Sequence, residues 1–110
     1  MRTIYHLVTP RKWQEQSDQP YRAESLVNEG FIHCSFAAQV AGSANRFYAT
    51  EPQLLVLHID PSRLSCELRE EASASGELFP HIYGPLNREA VRTVQVLSRD
   101  SEGRWQFTDS

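Results

Sequence analysis

Six consecutive residues, Leu54-Leu55-Val56-Leu57-His58-Ile59, carry a single polar side chain and are closed off by Pro52 before them and by the turn Asp60-Pro61-Ser62 after them. A run this apolar and this short is the clearest buried strand in the chain: it offers water no face, and it is too brief for a core helix. The fold is therefore organised around a sheet. At 110 residues, 40% hydrophobic and 23% charged, residues 1–110 have the size and balance of one globular domain with one core.

Around that strand the pattern alternates between short strands and short helices. Thr3 to Val8 is rich in β-branched and aromatic residues and reads as a first strand. Thr9 caps a helix that carries Pro10 at its first position and runs from Arg11 to Gln16, with Trp13 as its core anchor. Ala23 to Glu29 is a second helix, turning Leu26 and Val27 inward and stopping at Gly30, which suits a left-handed C-cap. Phe31 to Cys34 follows as a second strand. Ser35 is the expected N-cap of a helix from about Ala37 to Tyr48, where Val40, Ala41, Ala44, Phe47 and Tyr48 recur at helical spacing. Leu68 to Glu71 and Pro80 to Pro85 are extended, and Ala72 to Glu77 joins them as a loop of small residues. Asn87 caps one helical turn, Thr93 to Ser98 alternates as a strand, and Asp100 to Gly103 turns into Trp105-Gln106-Phe107. This order predicts a single α+β domain with a mixed, largely antiparallel sheet and short helices. Its expected core holds Trp13, Phe31, Val40, Phe47, Leu55, Leu57 and Val94.

Charge and cysteine content exclude several classes of function. A net charge of −3 gives no electrostatic footprint for duplex DNA or for an anionic membrane. Cys34 and Cys66 are too few and too far apart for a disulfide framework or a structural zinc motif. The chain enters its first strand without a leader-like pattern, and no apolar run approaches membrane-spanning length. Reduced thiols and a cytoplasmic location are the expectation. The sequence leaves the oligomeric state open.

The histidines carry the functional signal. Ile4-Tyr5-His6, Phe31-Ile32-His33-Cys34-Ser35 and Phe79-Pro80-His81-Ile82-Tyr83 each set an imidazole in an apolar or aromatic run. A buried imidazole needs a partner, and it is the side chain best suited to proton transfer near neutral pH. Each one alone fits a core histidine bonded to a carbonyl, but three in similar settings point to one cleft. Alternation places Phe31, His33 and Ser35 on one face of the second strand and Cys34 on the other. That argues against a Cys34/His33 nucleophile pair and against a zinc site built from those two residues. His6, His33 and His81 could still converge on a metal with a carboxylate, which would give a hydrolase.

Glu67, Glu70 and Glu71 are the carboxylates nearest this cleft. Glu67, Arg69 and Glu71 share one side, so an inward Glu71 carries the other two with it unless the strand bulges. Which glutamate faces the cleft stays open. Tyr5, Tyr83 and Arg46 are further candidates for ligand contact.

The combination Ile4-Tyr5-His6, Gly30-Phe31-Ile32-His33-Cys34-Ser35, Gln39-Val40 with Asn45-Arg46-Phe47-Tyr48, Leu68-Arg69-Glu70-Glu71 and Phe79 to Leu86 resembles the family catalogued as domain of unknown function 952, over nearly the whole chain. More distantly the chain is similar to the ADP-ribosyltransferase superfamily, particularly its RNA 2′-phosphotransferase branch. That likeness implies an ADP-ribosyltransferase-like fold, NAD as a possible cofactor, and a transferase reaction. It makes His6 the counterpart of the residue that hydrogen-bonds the NAD ribose, His33 with Ser35 the motif beside the nicotinamide, and Glu71, with Glu70 as the alternative, the carboxylate. His6 is followed here by Leu7-Val8, where such transferases usually have Gly-Thr. The expected functions are thus a nucleotide-directed transferase acting through His6, His33 and Glu71, or a non-catalytic module in which Tyr5, Ser35, Arg46, His81 and Tyr83 help hold a nucleotide-like ligand or a protein partner.

Overall fold

The computed structural model describes residues 2–108 and arranges them as two three-stranded sheets, a terminal hairpin and three short helices. The strands are β1 (Ile4–Val8), β2 (Ile32–His33), β3 (Leu55–Ile59), β4 (Glu67–Ala72), β5 (Leu78–Tyr83), β6 (Val91–Val96), β7 (Ser98–Arg99) and β8 (Trp105–Gln106). The helices are α1 (Pro10–Glu15), α2 (Glu24–Glu29) and α3 (Val40–Phe47), with single 3-10 turns at Ala37–Gln39, Pro61–Arg63 and Arg88–Ala90. The α+β expectation holds, and every strand pair among the described residues is antiparallel, where a mixed sheet was allowed.

The first sheet runs β1-β3-β6, with the apolar run Leu55–Ile59 at its centre. Such a strand needs cover on both faces, and it has it. Ile4, Val8, Leu55, Leu57 and Ile59 pack with Ile32 and Ile82 of the second sheet and with Cys34 just beyond β2. Tyr5, Leu7, Leu54 and Val56 pack on the other side against Val40 and Ala44 of α3 and Trp105 of β8. The second sheet runs β2-β5-β4, and its inner face closes the first core. Main-chain bonds from Tyr5 N to Ser35 O (2.9 Å) and from Ser35 N to Tyr5 O (2.7 Å) stitch the two sheets together.

Several local expectations are met. The Thr9 hydroxyl accepts from Lys12 N, Pro10 takes the first helical position, and Gly30 closes α2 at φ 90°. Others are corrected. The helix expected from Ala37 is a 3-10 turn that passes into α3, and Ser35 does not cap it: the Ser35 hydroxyl donates to Ser43 Oγ at 3.4 Å, while Gln39 Oε1 accepts from Phe36 N. Val27 is 81% exposed, because its neighbour Leu26 faces the core and adjacent helical positions point about 100° apart. Phe47 is 67% exposed, and Tyr48 packs on the core in its stead. Val94 is 42% exposed because β6 is the outer strand of its sheet. Phe31 is half-buried and belongs to the site. Trp13 is half-buried too, packed against the first core beneath the Arg88 guanidinium, 3.9 Å from its ring. The small-residue loop is a closed hairpin turn: Ser73 N donates to Glu77 O at 2.8 Å, Gly76 adopts φ 89°, and Gln39 donates to both Glu77 and Leu78 O. No helix among the described residues is long and apolar enough to cross a membrane.

Candidate functional site

A broad groove opens where β1 and β2 part beside the Tyr5–Ser35 bridge. His6 to Thr9 line one wall, Phe31, His33, Ser35 and His81 the other, and α2 and the β4–β5 turn border it. All three predicted histidines reach this groove, by different routes. Alternation sends His6 with Ile4 and Val8 towards the first core, where its ring is buried. There His6 Nδ1 donates to the main-chain carbonyl of His33 at 2.6 Å. That bond places the proton on Nδ1, so Nε2 accepts from the Tyr21 hydroxyl at 3.3 Å. Burial is the main reason its pKa is lowered to about 4, with the bond to His33 opposing and the His33 charge adding to the fall. His6 is a neutral, doubly bonded imidazole at the fork. Its link to His33 is to main chain, and it stands apart from the other two rings.

His33 and His81 form the ring cluster. Their strands pair in register, His33 opposite His81, so both side chains stand on the outer face of the second sheet with ring centroids 5.2 Å apart. Phe31 stacks on His81 at 4.1 Å and meets His33 edge-on at 4.8 Å. His81 is buried, and its Nδ1 donates to Glu71 Oε1 at 2.8 Å. The same oxygen receives the Tyr83 hydroxyl at 2.5 Å. Those two donors, Tyr83 first, hold the Glu71 carboxyl below its usual range, and the carboxylate in turn pushes the Tyr83 phenol up. Arg69 lies over the Tyr83 ring at 4.3 Å and forks onto Glu67. His33 is exposed, with Nε2 donating to Glu29 Oε2 at 3.0 Å.

The hairpin register resolves the choice among the three glutamates. Glu71 faces the histidines, carrying Arg69 and Glu67 on the same side as the parity argument requires, and no bulge intervenes. Glu71 stands behind His81, orienting it, and does not line the groove. Glu70 points away and is exposed. Tyr5 lines the groove and packs in the second core, edge-on to His58 at 5.0 Å and to Phe107 at 5.1 Å. Arg46 lines the groove from α3, its guanidinium over its own neighbour Phe47. Cys34 is buried in the first core, where burial pushes its thiol up, so it is no nucleophile for His33. Among the described residues no three His, Cys, Asp or Glu side chains converge to hold a metal ion, which leaves the hydrolase reading without a ligand set.

Two partners escaped the sequence reading. Glu29 precedes His33 by four residues, but the helix ends between them, so helical spacing gave no cue. Tyr21 reaches His6 only because its main chain bridges to Leu86, a pairing with no local signature.

Comparison with known proteins supports the fold and places the chain in a family. The fold is similar to the crystal structure of protein CC0527 from Caulobacter crescentus, with 28% identity, a TM-score of 0.85, and coverage of 94% of this chain and 93% of that one. It is similar also to the solution NMR structure of the same protein, at 29% identity, a TM-score of 0.81 and coverage of 96% and 93%. No curated protein matches the chain. Residues 7–94 match the model of a protein family of unknown function, and the chain belongs to that family, DUF952.

Proposed function

We propose that the groove binds a nucleotide of the NAD class and that the protein is an ADP-ribosyltransferase-like transferase. The observation that carries this reading is the 2.6 Å bond between His6 and the main chain of His33, which fixes the two motif residues to one another at the fork of β1 and β2. Both ring nitrogens of His6 are already bonded, so it braces the fork, while the exposed His33 ring that it fixes suits the holding of a ribose and, with the edge of Phe31, offers a flat ring a surface to lie against. Breaking an N-glycosidic bond builds positive charge on the sugar, and the ionised Glu71 behind His81 favours such charge. Calorimetry with NAD and with ADP-ribose, followed by an assay for nicotinamide release, tests it. Binding that is lost in His33→Ala is the expected result, and no heat at millimolar ligand with the protein folded overturns it.

A second reading, a non-catalytic module for a nucleotide-like ligand, is favoured by one observation: the bonded oxygen of Glu71 is committed to His81 and Tyr83 and does not line the groove. Glu71→Gln separates the two. The module retains all of its function, whereas the transferase retains binding and loses turnover.

A further inference from the structure

His33 and His81 share a feature that neither proposal above uses. Each has one ring nitrogen taken by a carboxylate from a different element: Nε2 of His33 by Glu29 of α2, at 3.0 Å, and Nδ1 of His81 by Glu71 of β4, at 2.8 Å. A carboxylate only accepts, so in the neutral rings those nitrogens carry the protons. Nδ1 of His33 and Nε2 of His81 keep their lone pairs, and no hydrogen bond within the described residues engages either. Both residues line the groove, with ring planes 83° apart.

The surroundings narrow what such a pair can do. Cys34 faces the core, and the Ser35 hydroxyl is directed at Ser43, so neither neighbour of His33 is aimed at the imidazoles. Attack therefore falls to water. A pair of imidazoles suits a displacement in which one proton is removed from the nucleophile and another is delivered to a poor leaving group. Hydrolysis of a phosphodiester is such a displacement. A cyclic one needs no further hydroxyl to be positioned, Arg46 supplies positive charge to the same groove, and the half-buried Phe31 ring is suited to a base.

We propose that His33 and His81 are an acid–base pair that hydrolyses cyclic phosphodiesters of the nucleoside 2′,3′-cyclic phosphate class. His81, buried and oriented by Glu71, takes a proton from water as the water oxygen bonds to phosphorus. The bond from phosphorus to one ribose oxygen breaks, and that oxygen takes a proton from His33 in its imidazolium form. His33 is the acid because it is the ring open to solvent, through which the pair returns to its starting protonation. One water is consumed and one phosphomonoester forms. Glu71 and Glu29 are positioning residues.

The test is hydrolysis of 2′,3′-cyclic AMP and 2′,3′-cyclic CMP by the full chain, followed by phosphorus NMR across a pH series, with and without EDTA. The charged and titratable groups against the pair are Glu29 from α2, Glu71 and Arg69 from β4, Tyr83 from β5 and, through the His33 main chain, His6 from β1. The expected result is monoester formation insensitive to EDTA, with a bell-shaped pH profile and a fall in kcat of about 100-fold or more in both His33→Ala and His81→Ala. Glu71→Gln should lower kcat about 10-fold and move one limb of that profile, which a merely structural role would not do. No monoester from folded protein, activity that survives either histidine substitution, or loss of activity in EDTA overturns the proposal. Calorimetry with NAD on the same preparation keeps the readings apart: heat with NAD but no hydrolysis sinks this inference alone, and hydrolysis without NAD heat sinks the other.

Discussion

Glu71 accepts the Nδ1 proton of His81 at 2.8 Å from the neighbouring strand, two residues along from Arg69, the register partner of His81, and so fixes which nitrogen of that ring is left for the groove. Tyr83 completes the arrangement by donating to the same oxygen. The three side chains behave as one electrostatic unit, and that can be checked without any substrate.

Because the Glu71 carboxylate holds the Tyr83 phenol above its usual range, Glu71→Gln should bring the Tyr83 titration down towards that of an ordinary tyrosine. Ultraviolet titration of the phenolates reads this directly, and the difference spectrum against Tyr83→Phe assigns the step among the four tyrosines of the chain. A Tyr83 step that stays where it was in Glu71→Gln would contradict the contact.

His6 ties the fold to pH. Its pKa is near 4 in the folded chain and about 6.5 unfolded, so between those values the unfolded state binds more protons and stability rises with pH. The stabilisation is complete above the unfolded value and is lost as pH falls towards 4, amounting to about 3 kcal/mol at roughly 1.4 kcal/mol per pKa unit. Urea unfolding of the wild type and of His6→Gln at a series of pH values should show this acid loss in the former and a flatter curve in the latter. Parallel curves would mean that His6 is not buried as a neutral ring.

Leu57→Ala should cost about 2–5 kcal/mol, since the side chain is fully buried between the two sheets and its loss leaves a cavity. Its register partner Val94 gives the contrast: Val94→Ala on the outer strand should stay within about 0.5 kcal/mol of wild type. Equal effects in chemical denaturation would mean that the edge of the first sheet is misplaced.

A methyl group at residue 84 would run into Cys66 Sγ and stand 2.9 Å from Cys66 Cβ. Gly84→Ala should therefore destabilise by about 1–3 kcal/mol through overpacking, although no unusual backbone angle is required there. Adding Cys66→Ala removes the sulfur and should restore part of the loss; if thermal melts of the double variant show no recovery, the clash is not the cause.

What the sequence disclosed depended on whether the signal was local. Thr9-Pro10, Gly30 and the alternation of His33 against Cys34 are decided within a few residues, and each is met in the fold. The same parity had linked Glu71 with Arg69, but only the pairing of β4 with β5 could show which side of the strand faces the histidines. Val94 and Phe47 were misjudged because periodicity reports that a face is apolar, and it cannot report where the sheet or helix above that face stops. Phe31 was expected in the core for the same reason, and its place in the site follows from a stack on His81, a residue 50 positions further along the chain.

The two main-chain bonds between Tyr5 and Ser35 also set how the groove admits a ligand. Prising β1 from β2 to widen it would break both at once, at a net cost of about 1 kcal/mol each before any core is exposed. A ligand that fits the groove as it stands enters without breaking either bond, and a wider one must meet that cost. Association should accordingly follow a single exponential whose rate rises linearly with ligand concentration, and the amide protons of Tyr5 and Ser35 should exchange with solvent no faster when the groove is empty than when it is filled.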